Sequence, residues 1–256
     1  MAFTGDIALI TGGGSGMGQS WARQLAEQGA TVVLFDVNDE GMAATASGLP
    51  SVHAMHVDLT DTRAVETAVQ QVESDLGPID RVVNAAAIMP FGRLLEQPAA
   101  TQLKIMEVNY GGLVNIATAT LPAMMGRGRG DFVSFSSMSG LIPGLLMGGY
   151  CSSKSAVQTY TEILYHENLN SGIRFCCVCP PAVATPLWKQ AEATVVPKLP
   201  GEGETFTPKD VIDEVENCLE RGQFVAYPGK QTAFGARMRR FFPGLIWKQA
   251  HKVEGF

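Results

Sequence analysis

The chain has 256 residues, of which 46% are hydrophobic and 17% are charged. This balance excludes a mainly disordered protein, because enough apolar surface is available to form a sizeable core. The net charge of −6 is unevenly distributed: residues 1–220 carry 12 basic and 24 acidic side chains, whereas residues 221–256 carry seven basic and one acidic. An acidic body without a basic stripe argues against a protein that binds nucleic acid.

The sequence contains no run of about 18 consecutive apolar residues that would span a membrane. Residues 1–6 lack the basic and apolar regions of a secretory signal peptide, so we expect a cytoplasmic protein. The odd number of cysteines predicts buried free thiols rather than disulfides. Cys176 and Cys179 have the spacing of a zinc half-site, but a second ligand pair is missing, and we predict no metal.

Short apolar runs alternate along the chain with longer segments of helical period. The apolar runs predict seven strands, at residues 7–10, 31–35, 52–57, 81–83, 131–135, 173–178 and 224–226. Helices are expected near residues 16–28, 39–47, 61–76, 100–125, 152–170 and 208–220. This alternation predicts a Rossmann-type, doubly wound α/β fold with a parallel sheet between two layers of helices. Such folds bind ligands at the carboxyl ends of the strands.

No repeat or low-complexity linker interrupts the alternation, so the sequence predicts one domain over residues 1–256. The least regular stretch, residues 186–208, contains several prolines and glycines. It is too long for an ordinary connection between a strand and a helix, and we expect it to form a lid.

A glycine-rich segment at residues 11–18 follows the first predicted strand and begins the first predicted helix. Because glycine has no Cβ, Gly12, Gly16 and Gly18 allow a tight turn and the close approach of a pyrophosphate, which the helix N-terminus stabilises. The segment lacks the Gly-Lys-Ser/Thr ending of a nucleoside triphosphate loop. We therefore predict a dinucleotide site that also includes Ser15 and Met17.

Asp36 ends the second predicted strand, 20 residues after Gly16. A carboxylate at this place accepts hydrogen bonds from both hydroxyls of an adenosine ribose and repels a 2′-phosphate. Val37 and Asn38 provide no cation for such a phosphate, so the sequence favours NAD over NADP. The alternative role of Asp36 is to cap the following helix, although Asp39 is better placed for it.

Asp58 ends the third predicted strand and is followed by Leu59. Its carboxylate is predicted either to accept from the adenine amino group or to cap the next helix. The sequence leaves these two roles open.

Tyr150 and Lys154 have the spacing that places two side chains on one helix face. The ammonium of Lys154 is expected to lower the pKa of the Tyr150 hydroxyl, ordinarily about 10, and so to produce a general acid or base. Taken alone, this motif is common and mostly structural. Ser137, 13 residues upstream, ends a predicted strand, so we expect it to meet Tyr150 over the cofactor.

In these motifs and in their order, residues 7–224 resemble the short-chain dehydrogenase/reductase family in its single-domain branch. The resemblance implies that Tyr150 is the catalytic acid/base and that Ser137 hydrogen-bonds the reacting oxygen. It also implies that Lys154 holds the nicotinamide ribose and that Asn109 holds a water that relays protons to it. A homotetramer or homodimer built on the helices near residues 100–125 and 152–170 is implied as well.

The predicted cofactor site combines the glycine loop, the strand ends and positions that match the family. Its members are Gly12, Ser15, Gly16, Met17, Gly18, Asp36, Asp58, Leu59, Asn84, Ala85, Ala86, Tyr150, Lys154, Pro180, Val183 and Thr185. Two positions depart from the family pattern, since Ala86 and Pro181 stand where glycine is usual. Pro181 removes a backbone donor beside the nicotinamide, which bears on the affinity for the cofactor.

The segments expected to border the substrate are apolar and contain no cation that would bind a carboxylate or phosphate. The predicted substrate pocket comprises Met89, Phe91, Ser137, Leu145, Leu187 and Trp188. We therefore expect NAD-linked oxidation of a small hydrophobic secondary alcohol, or reduction of the matching ketone. The alternative for the apolar side chains is that half of them only pack against one another.

Two other functions stay open at this point. A β-ketoacyl carrier-protein reductase would use NADPH and need a basic patch for its acidic partner, and Asp36 and the acidic body oppose it. A non-catalytic module that senses NAD would need only the glycine loop and Asp36. The additional presence of Ser137, Tyr150, Lys154 and Asn109 disfavours such a module.

The C-terminal segment, residues 229–256, combines basic side chains with large apolar ones. We expect it to pack against the acidic body or a neighbouring subunit and to cover the substrate pocket, while Pro243 and Gly244 oppose one long helix. The alternative is a weak contact with an anionic membrane interface, in which arginines meet the headgroups. The side chains that would enter the interface are Phe241, Phe242, Leu245, Ile246 and Trp247.

Overall fold

The computed structural model describes residues 3, 5–187, 197 and 206–256, with the backbone alone at residues 230 and 231. Its centre is one sheet of seven parallel strands in the order β3-β2-β1-β4-β5-β6-β7. The strands are β1 (Ile7–Thr11), β2 (Thr31–Asp36), β3 (Val52–His56), β4 (Arg81–Asn84), β5 (Gly130–Phe135), β6 (Ile173–Val178) and β7 (Val225–Ala226). The predicted seven-stranded, doubly wound fold is confirmed.

Helices surround this sheet. They are α1 (Gly16–Glu27), α2 (Asp39–Ala46), α3 (Thr62–Asp75), α4 (Ala99–Met106), α5 (Gly112–Arg127), α6 (Met138–Leu141), α7 (Gly148–Glu167), α8 (Pro208–Glu220), α9 (Lys230–Phe241) and α10 (Pro243–Glu254). Along β1 the side chains alternate between two apolar cores: Ala8 and Ile10 pack with α1 and α8, whereas Ile7 and Leu9 pack with α3 and α5. The sheet is therefore buried on both faces, as continuous apolar strands require.

The sheet order reverses next to β1, and this reversal positions the site. The chain builds outward from β1 to β3, then returns to place β4 on the other side of β1. Thr11 at the end of β1 is in register with Phe35 on β2 and with Asn84 on β4. The loops after these three strands therefore meet at one edge of the sheet, where folds of this type bind their ligands.

Several helices differ from the sequence prediction. The segment predicted as one helix near residues 100–125 consists of α4 and α5 joined by a π-helical turn, Glu107–Gly111. The helix that contains Tyr150 begins at Gly148 rather than near residue 152. The N-cap of α2 is Asn38, whose Oδ1 accepts from the Gly41 N–H at 3.0 Å, and not Asp39.

The C-terminal segment forms two helices, α9 and α10, that meet at Phe242 and Pro243. The predicted break at the proline is therefore present. No helix in the described part of the chain combines the length and apolar character needed to cross a bilayer. All five cysteines are free and buried.

A buried ion cluster joins the sheet to α8. The guanidinium of Arg81 is completely buried, and it donates to Asp131 on β5 at 2.6 and 2.9 Å and to Glu216 on α8 at 2.5 and 3.2 Å. Because each charge has an opposite partner, the cluster avoids most of the cost of an isolated buried charge. It ties β4, β5 and α8 together at the amino end of the strands.

Candidate active site

The loop between β1 and α1 lies tightly against the loop after β4. Gly12 has φ of +70°, and a Cβ there would lie 2.8 Å from the backbone nitrogen of Ala86. A Cβ on Gly18 would overlap the carbonyl of Gly12. Larger residues would therefore push apart the cradle that this loop forms.

No side chain of its own first turn caps or neutralises the N-terminus of α1. Ser15 is the N-cap residue, its hydroxyl makes no capping hydrogen bond, and the first turn contains no acidic side chain. The first N–H groups of a helix lack intrahelical acceptors and carry partial positive charge. This helix end, together with the glycine cradle, fits the pyrophosphate of a dinucleotide.

The β4 side of the cradle is fixed by Thr11. Its hydroxyl donates to Oδ1 of Asn84 at 2.9 Å and accepts from the N–H of Ala86 at 3.2 Å. These two hydrogen bonds hold residues 84–86 against the end of β1. Ala86 therefore occupies a position whose backbone is already constrained.

Asp36 lies at the carboxyl end of β2, directly over the glycine loop. Its carboxylate accepts from the N–H of Gly14 at 2.9 Å and from the N–H of Asn38 at 3.0 Å. The helix-capping alternative is excluded, because Asn38 caps α2. The carboxylate is placed to accept further hydrogen bonds from hydroxyls and to repel a phosphate.

Asp58 is exposed and folds back on Thr60, whose N–H and hydroxyl donate to it at 2.9 and 2.8 Å. The N–H of Thr60 contributes most to holding the pKa of Asp58 below its usual value. Asp61, and not Asp58, caps α3 by accepting from the N–H groups of Arg63 and Ala64. Leu59 is buried.

Ser137, Tyr150 and Lys154 come together at the carboxyl ends of β5 and β6. Ser137 caps the short helix α6 and accepts from the N–H of Ser139 at 3.1 Å. It also interacts with Tyr150, and this interaction acts to lower the pKa of the tyrosine. The ammonium of Lys154 donates to the carbonyl of Phe135 at 2.7 Å. These three side chains are buried, as is Asn109, the fourth predicted catalytic residue.

Burial dominates the protonation of this cluster. Desolvation raises the pKa of Tyr150 to about 12, and the hydrogen bond with Ser137 lowers it by a smaller amount. Desolvation also lowers the pKa of Lys154 to about 8. The expected lowering of the tyrosine pKa by Lys154 is therefore wrong for this structure: the pKa of Tyr150 is raised, and Lys154 is not among the groups that shift it.

Asn109 lies in the π-helical turn and is held by three hydrogen bonds. Its Oδ1 accepts from the N–H of Ile88 at 2.8 Å, and its Nδ2 donates to the Ile88 carbonyl at 3.0 Å and to the Ser153 hydroxyl at 2.9 Å. Ser153 in turn donates to the carbonyl of Tyr150 at 2.8 Å. Asn109 thus positions the loop after β4 relative to the helix that carries Tyr150. Its role in a proton relay stays a prediction.

Two serines support the cluster without having been predicted to do so. Ser153 links Asn109 to α7, and the Ser136 hydroxyl donates to the carbonyl of Lys154 at 2.8 Å. Both are buried. Their only sequence signal is position, next to Ser137 and next to Lys154.

A cavity of about 500 Å³ opens beside Ser137, Tyr150 and Lys154. Of the predicted cofactor site, the residues that line it are Met17, Ala85, Tyr150, Lys154, Pro180, Val183 and Thr185, and of the predicted substrate pocket they are Met89, Ser137, Leu145 and Leu187. Phe91 is fully buried in the cluster that contains Met89 and Tyr150, and it is absent from the described cavity wall. Trp188 lies outside the described residues.

The predicted lid, residues 186–208, falls largely outside the described residues. Of its described members, Leu187, Pro197 and Phe206 line the cavity. Phe206 bridges to Val183, and its carbonyl accepts from the N–H of Ala184 at 2.9 Å. The two flanks of the segment are therefore held together beside Thr185 at the cavity.

The C-terminal helices supply cavity residues that the sequence analysis did not name. Thr232 and Gly235 of α9 line the cavity, together with Ile246, Ala250 and Glu254 of α10. The last three are spaced four residues apart and so share one helix face. Among the described lining residues, Glu254 and Lys154 carry the charged side chains. The expectation that the segment covers the pocket agrees with this arrangement.

Comparison with known proteins agrees with this geometry. The model of the short chain dehydrogenase family matches residues 6–195. Epidermal retinol dehydrogenase 2 of Mus musculus is 32% identical over 267 residues, which cover 98% of this chain and 85% of that protein. Meso-2,3-butanediol dehydrogenase of Serratia marcescens is 34% identical over 187 residues, which cover 72% of this chain and 74% of that protein.

Two solved structures share the fold. A short-chain dehydrogenase/reductase from Burkholderia phymatum in complex with NAD has a TM-score of 0.86 and 24% identity, and 96% of each chain is covered. A short-chain dehydrogenase from Sphingobium yanoikuyae in complex with NADPH has a TM-score of 0.80 and 25% identity, with 94% of this chain and 95% of that chain covered. Because the family model matches most of the sequence, the chain belongs to the short-chain dehydrogenase/reductase family of oxidoreductases.

Proposed function

We propose that the protein is an NAD(H)-dependent dehydrogenase that oxidises a hydrophobic secondary alcohol or reduces the matching ketone. The observation that carries this proposal is the buried group of Ser137, Tyr150 and Lys154 at the wall of an apolar cavity. Met17 of the glycine-rich segment and Thr185, which lies beside Gly16, line the same cavity. The proton-transfer group and one side chain of the glycine-rich segment thus line one space that is large enough for a small substrate.

The chain's own residues handle the substrate oxygen and its proton. With a pKa of about 12, Tyr150 is protonated at neutral pH and is ready to donate its phenolic proton to a carbonyl oxygen. In the reverse direction the Tyr150 oxygen accepts the alcohol proton, which requires nearby positive charge to favour the phenolate. Ser137, which interacts with Tyr150, would hold the same substrate oxygen. NAD(H), when bound, exchanges the hydride with the substrate carbon.

The cofactor would be held by the first turn of α1 and by Asp36. Gly12, Ser15 and Gly18 form the cradle for the pyrophosphate, and Asp36 would accept hydrogen bonds from the adenosine ribose. The carboxylate of Asp36 supports a preference for NAD, because a 2′-phosphate beside it would be repelled. The solved relatives include one complex with NAD and one with NADPH, so the preference rests on Asp36.

The cavity supports an apolar substrate. Its wall is formed mainly by aliphatic, methionine, proline and aromatic side chains, including Met89, Leu145 and Leu187. The relatives named for retinol and for 2,3-butanediol support an alcohol as the substrate. Carboxylates and phosphates would lack a partner away from the catalytic lysine, since the other charged group on the described wall, Glu254, is acidic.

The predicted homodimer or homotetramer stays a prediction. Leu103 on α4 and Ile163 on α7 are exposed, and they provide apolar surface on the two helical segments that were expected to form the contact. Light scattering of the full chain measures the number of subunits.

Replacing Tyr150 with phenylalanine tests the proposed function. Tyr150→Phe removes only the phenolic hydroxyl. We therefore expect the affinity for NADH and the free energy of unfolding to stay the same, while turnover falls by about 10²- to 10⁴-fold or more. Tyr160→Phe is the matched control, because Tyr160 lies on the same helix and packs against Tyr110 instead of lining the cavity.

The assay is a panel of hydrophobic secondary alcohols and ketones with each of the two nicotinamide cofactors. The proposed function predicts turnover by the wild type and by Tyr160→Phe, and its loss in Tyr150→Phe. Substantial turnover by Tyr150→Phe would contradict the assignment of Tyr150. NADH binding without turnover of any member of the panel would instead favour a non-catalytic NAD-binding protein.

A further inference from the structure

We propose that the outer surface of α9 and α10 docks on an anionic lipid membrane. The surface consists of exposed apolar side chains interleaved with cations, on the side of these helices that faces away from the cavity. The docking itself does not depend on the proposed function.

The outer face of α9 carries Phe234, Arg237 and Phe241, which are three and four residues apart and therefore neighbours on one side of the helix. All three are exposed, and Phe234 and Phe241 are 65% and 71% accessible to solvent. Arg240 is exposed beside them. Exposing two large aromatic side chains to water so close together is unfavourable in free energy unless another surface covers them.

The outer face of α10 continues this pattern. Leu245, Lys248 and Lys252 are exposed and lie three and four residues apart. Phe242, at the junction of the two helices, is 55% exposed. The junction therefore presents apolar side chains at its tip and cations along both helices, which is the composition of a helix that lies in a membrane interface.

The two sides of α10 have different surroundings. Ile246, Ala250 and Glu254 face the cavity, and Ala250 is buried. Trp247 packs below the guanidinium of Arg239 at 5.7 Å, which links α10 to α9. The inner faces thus explain why the helices fold onto the body, while the outer aromatic side chains, Phe234, Phe241 and Phe242, stay more than half exposed.

The charge distribution indicates which kind of surface is bound. Residues 221–256 carry seven cations and one acid on a chain whose first 220 residues are strongly acidic. Arg237, Arg240, Lys248 and Lys252 are exposed, and in the described part of the chain none is paired with a carboxylate. Cations that stay unpaired beside an acidic body are available for an external anionic surface.

A lipid surface also suits the position of the cavity. The helices that carry the exposed aromatic residues form part of the cavity wall, through Gly235, Ile246 and Ala250. If the substrate is apolar, as the proposed function states, it partitions into lipid. Docking would then bring the cavity wall close to the membrane in which the substrate is dissolved. This last step rests on the proposed function, whereas the docking rests on the exposed side chains.

Sedimentation with lipid vesicles tests the docking without any measurement of activity. The full chain is incubated with vesicles of phosphatidylcholine mixed with phosphatidylglycerol, or of phosphatidylcholine alone, at low and at high salt. We expect binding to the anionic vesicles at low salt, much weaker binding to the neutral ones, and a loss of binding as salt screens the cations.

Two double variants separate the apolar and the ionic contributions. We expect Phe241→Ser with Phe242→Ser, and Arg237→Glu with Arg240→Glu, each to lower the partition coefficient by at least about tenfold. Leu169→Ser is the control. Leu169 lies between the end of α7 and the amino end of β6, whereas the cavity lies at the carboxyl ends of the strands. It is 59% exposed, like Leu245 on α10 at 58%. NADH binding and the thermal midpoint of unfolding verify that each variant is folded.

Three outcomes would overturn the docking. One is a wild-type chain that fails to bind anionic vesicles at low salt. Another is an equal loss of binding in the Leu169→Ser control, or no loss in the two double variants. The third is a change of subunit number in the double variants, measured by light scattering, together with no vesicle binding by the wild type, which would identify α9 and α10 as a contact between copies of the chain.

Discussion

The ammonium nitrogen of Lys154 lies 5.7 Å from the centre of the Tyr150 ring, with both side chains buried. Each group is shifted towards its neutral form, because burial disfavours the phenolate of Tyr150 and the ammonium of Lys154 alike. At neutral pH Tyr150 is neutral in the folded and the unfolded chain, so the cost of desolvation in the folded protein comes from the charged Lys154. That cost has consequences both for stability and for catalysis.

The stability consequence depends on pH. The pKa of Lys154 is about 8 in the folded protein and 10.5 for an ordinary lysine. Below pH 8 both states are charged and the cost of burying the ammonium is fully present. Between these two pKa values the unfolded chain keeps a proton on Lys154 that the folded chain does not, so the contribution of Lys154 to stability becomes less unfavourable as pH rises.

We expect Lys154→Met to be more stable than the wild type at pH 7, by about 1 to 3 kcal/mol. The upper end corresponds to the pKa shift, and the lost hydrogen bond to the Phe135 carbonyl reduces the gain. The advantage should shrink between pH 8 and 10.5. Unfolding by urea at pH 7 and at pH 10, with both proteins measured in parallel, gives the difference. A variant that is less stable at pH 7, or a difference that does not change with pH, would contradict this account.

Asp36 is expected to set the choice of cofactor. Asp36→Ala removes a charged acceptor for the ribose hydroxyls, so kcat/KM with NAD should fall by about 10- to 100-fold. Adding Val37→Arg should then move the preference towards NADP, because a cation is placed where a 2′-phosphate would lie. Asp39→Ala is the matched control, since Asp39 is exposed and contacts His56 instead of the glycine loop.

Steady-state kinetics with both cofactors measures this preference. The control should leave the ratio of kcat/KM values for NAD and NADP unchanged. A wild type that already prefers NADP would show that the assignment of Asp36 is wrong.

Ala250 is expected to determine how large a substrate the cavity admits. Ala250 is buried on α10 and lines the cavity, so Ala250→Phe places a ring in space that a substrate would occupy. We expect kcat/KM for the larger apolar alcohols to fall by about tenfold or more, because the lost contacts are worth a few kcal/mol. NADH affinity should not change.

Gln249→Phe is the control for this variant, because Gln249 is the exposed neighbour of Ala250 on the same helix. Competition between small and large substrates gives the relative kcat/KM values directly. An unchanged size preference in Ala250→Phe would place the substrate elsewhere in the cavity.

The strands and the position of the site could be predicted from the sequence because both have local signals. Buried parallel strands are continuous apolar runs, and each predicted strand end lies within one residue of the observed one. The glycine loop, Ser137 and Tyr150 follow or precede such strands in a fixed order. Parallel strands bring their carboxyl ends to one edge, so the meeting of these residues follows from their order alone.

Other features depend on contacts that no local pattern contains. The π-helical turn at Glu107–Gly111 accompanies the hydrogen bonds of Asn109 to the backbone of Ile88, which is 21 residues away in sequence. The raised pKa of Tyr150 requires burial that only the folded chain provides. The cavity face of α10 is a mixture of isoleucine, alanine and glutamate, so it has no apolar stripe from which a buried face could be predicted.

The ion cluster around Arg81 has a consequence for the order in which the chain folds during its synthesis. Asp131 follows Arg81 by 50 residues and Glu216 follows it by 135, so the guanidinium lacks one of its two carboxylates until most of the chain has left the ribosome. A nascent chain that has completed β4 and β5 must therefore keep the amino end of β4 hydrated or bear an incompletely paired charge, at a cost of about 3 to 5 kcal/mol. Stable closure of this edge awaits α8, which makes the sheet a product of the finished polypeptide rather than of its first half.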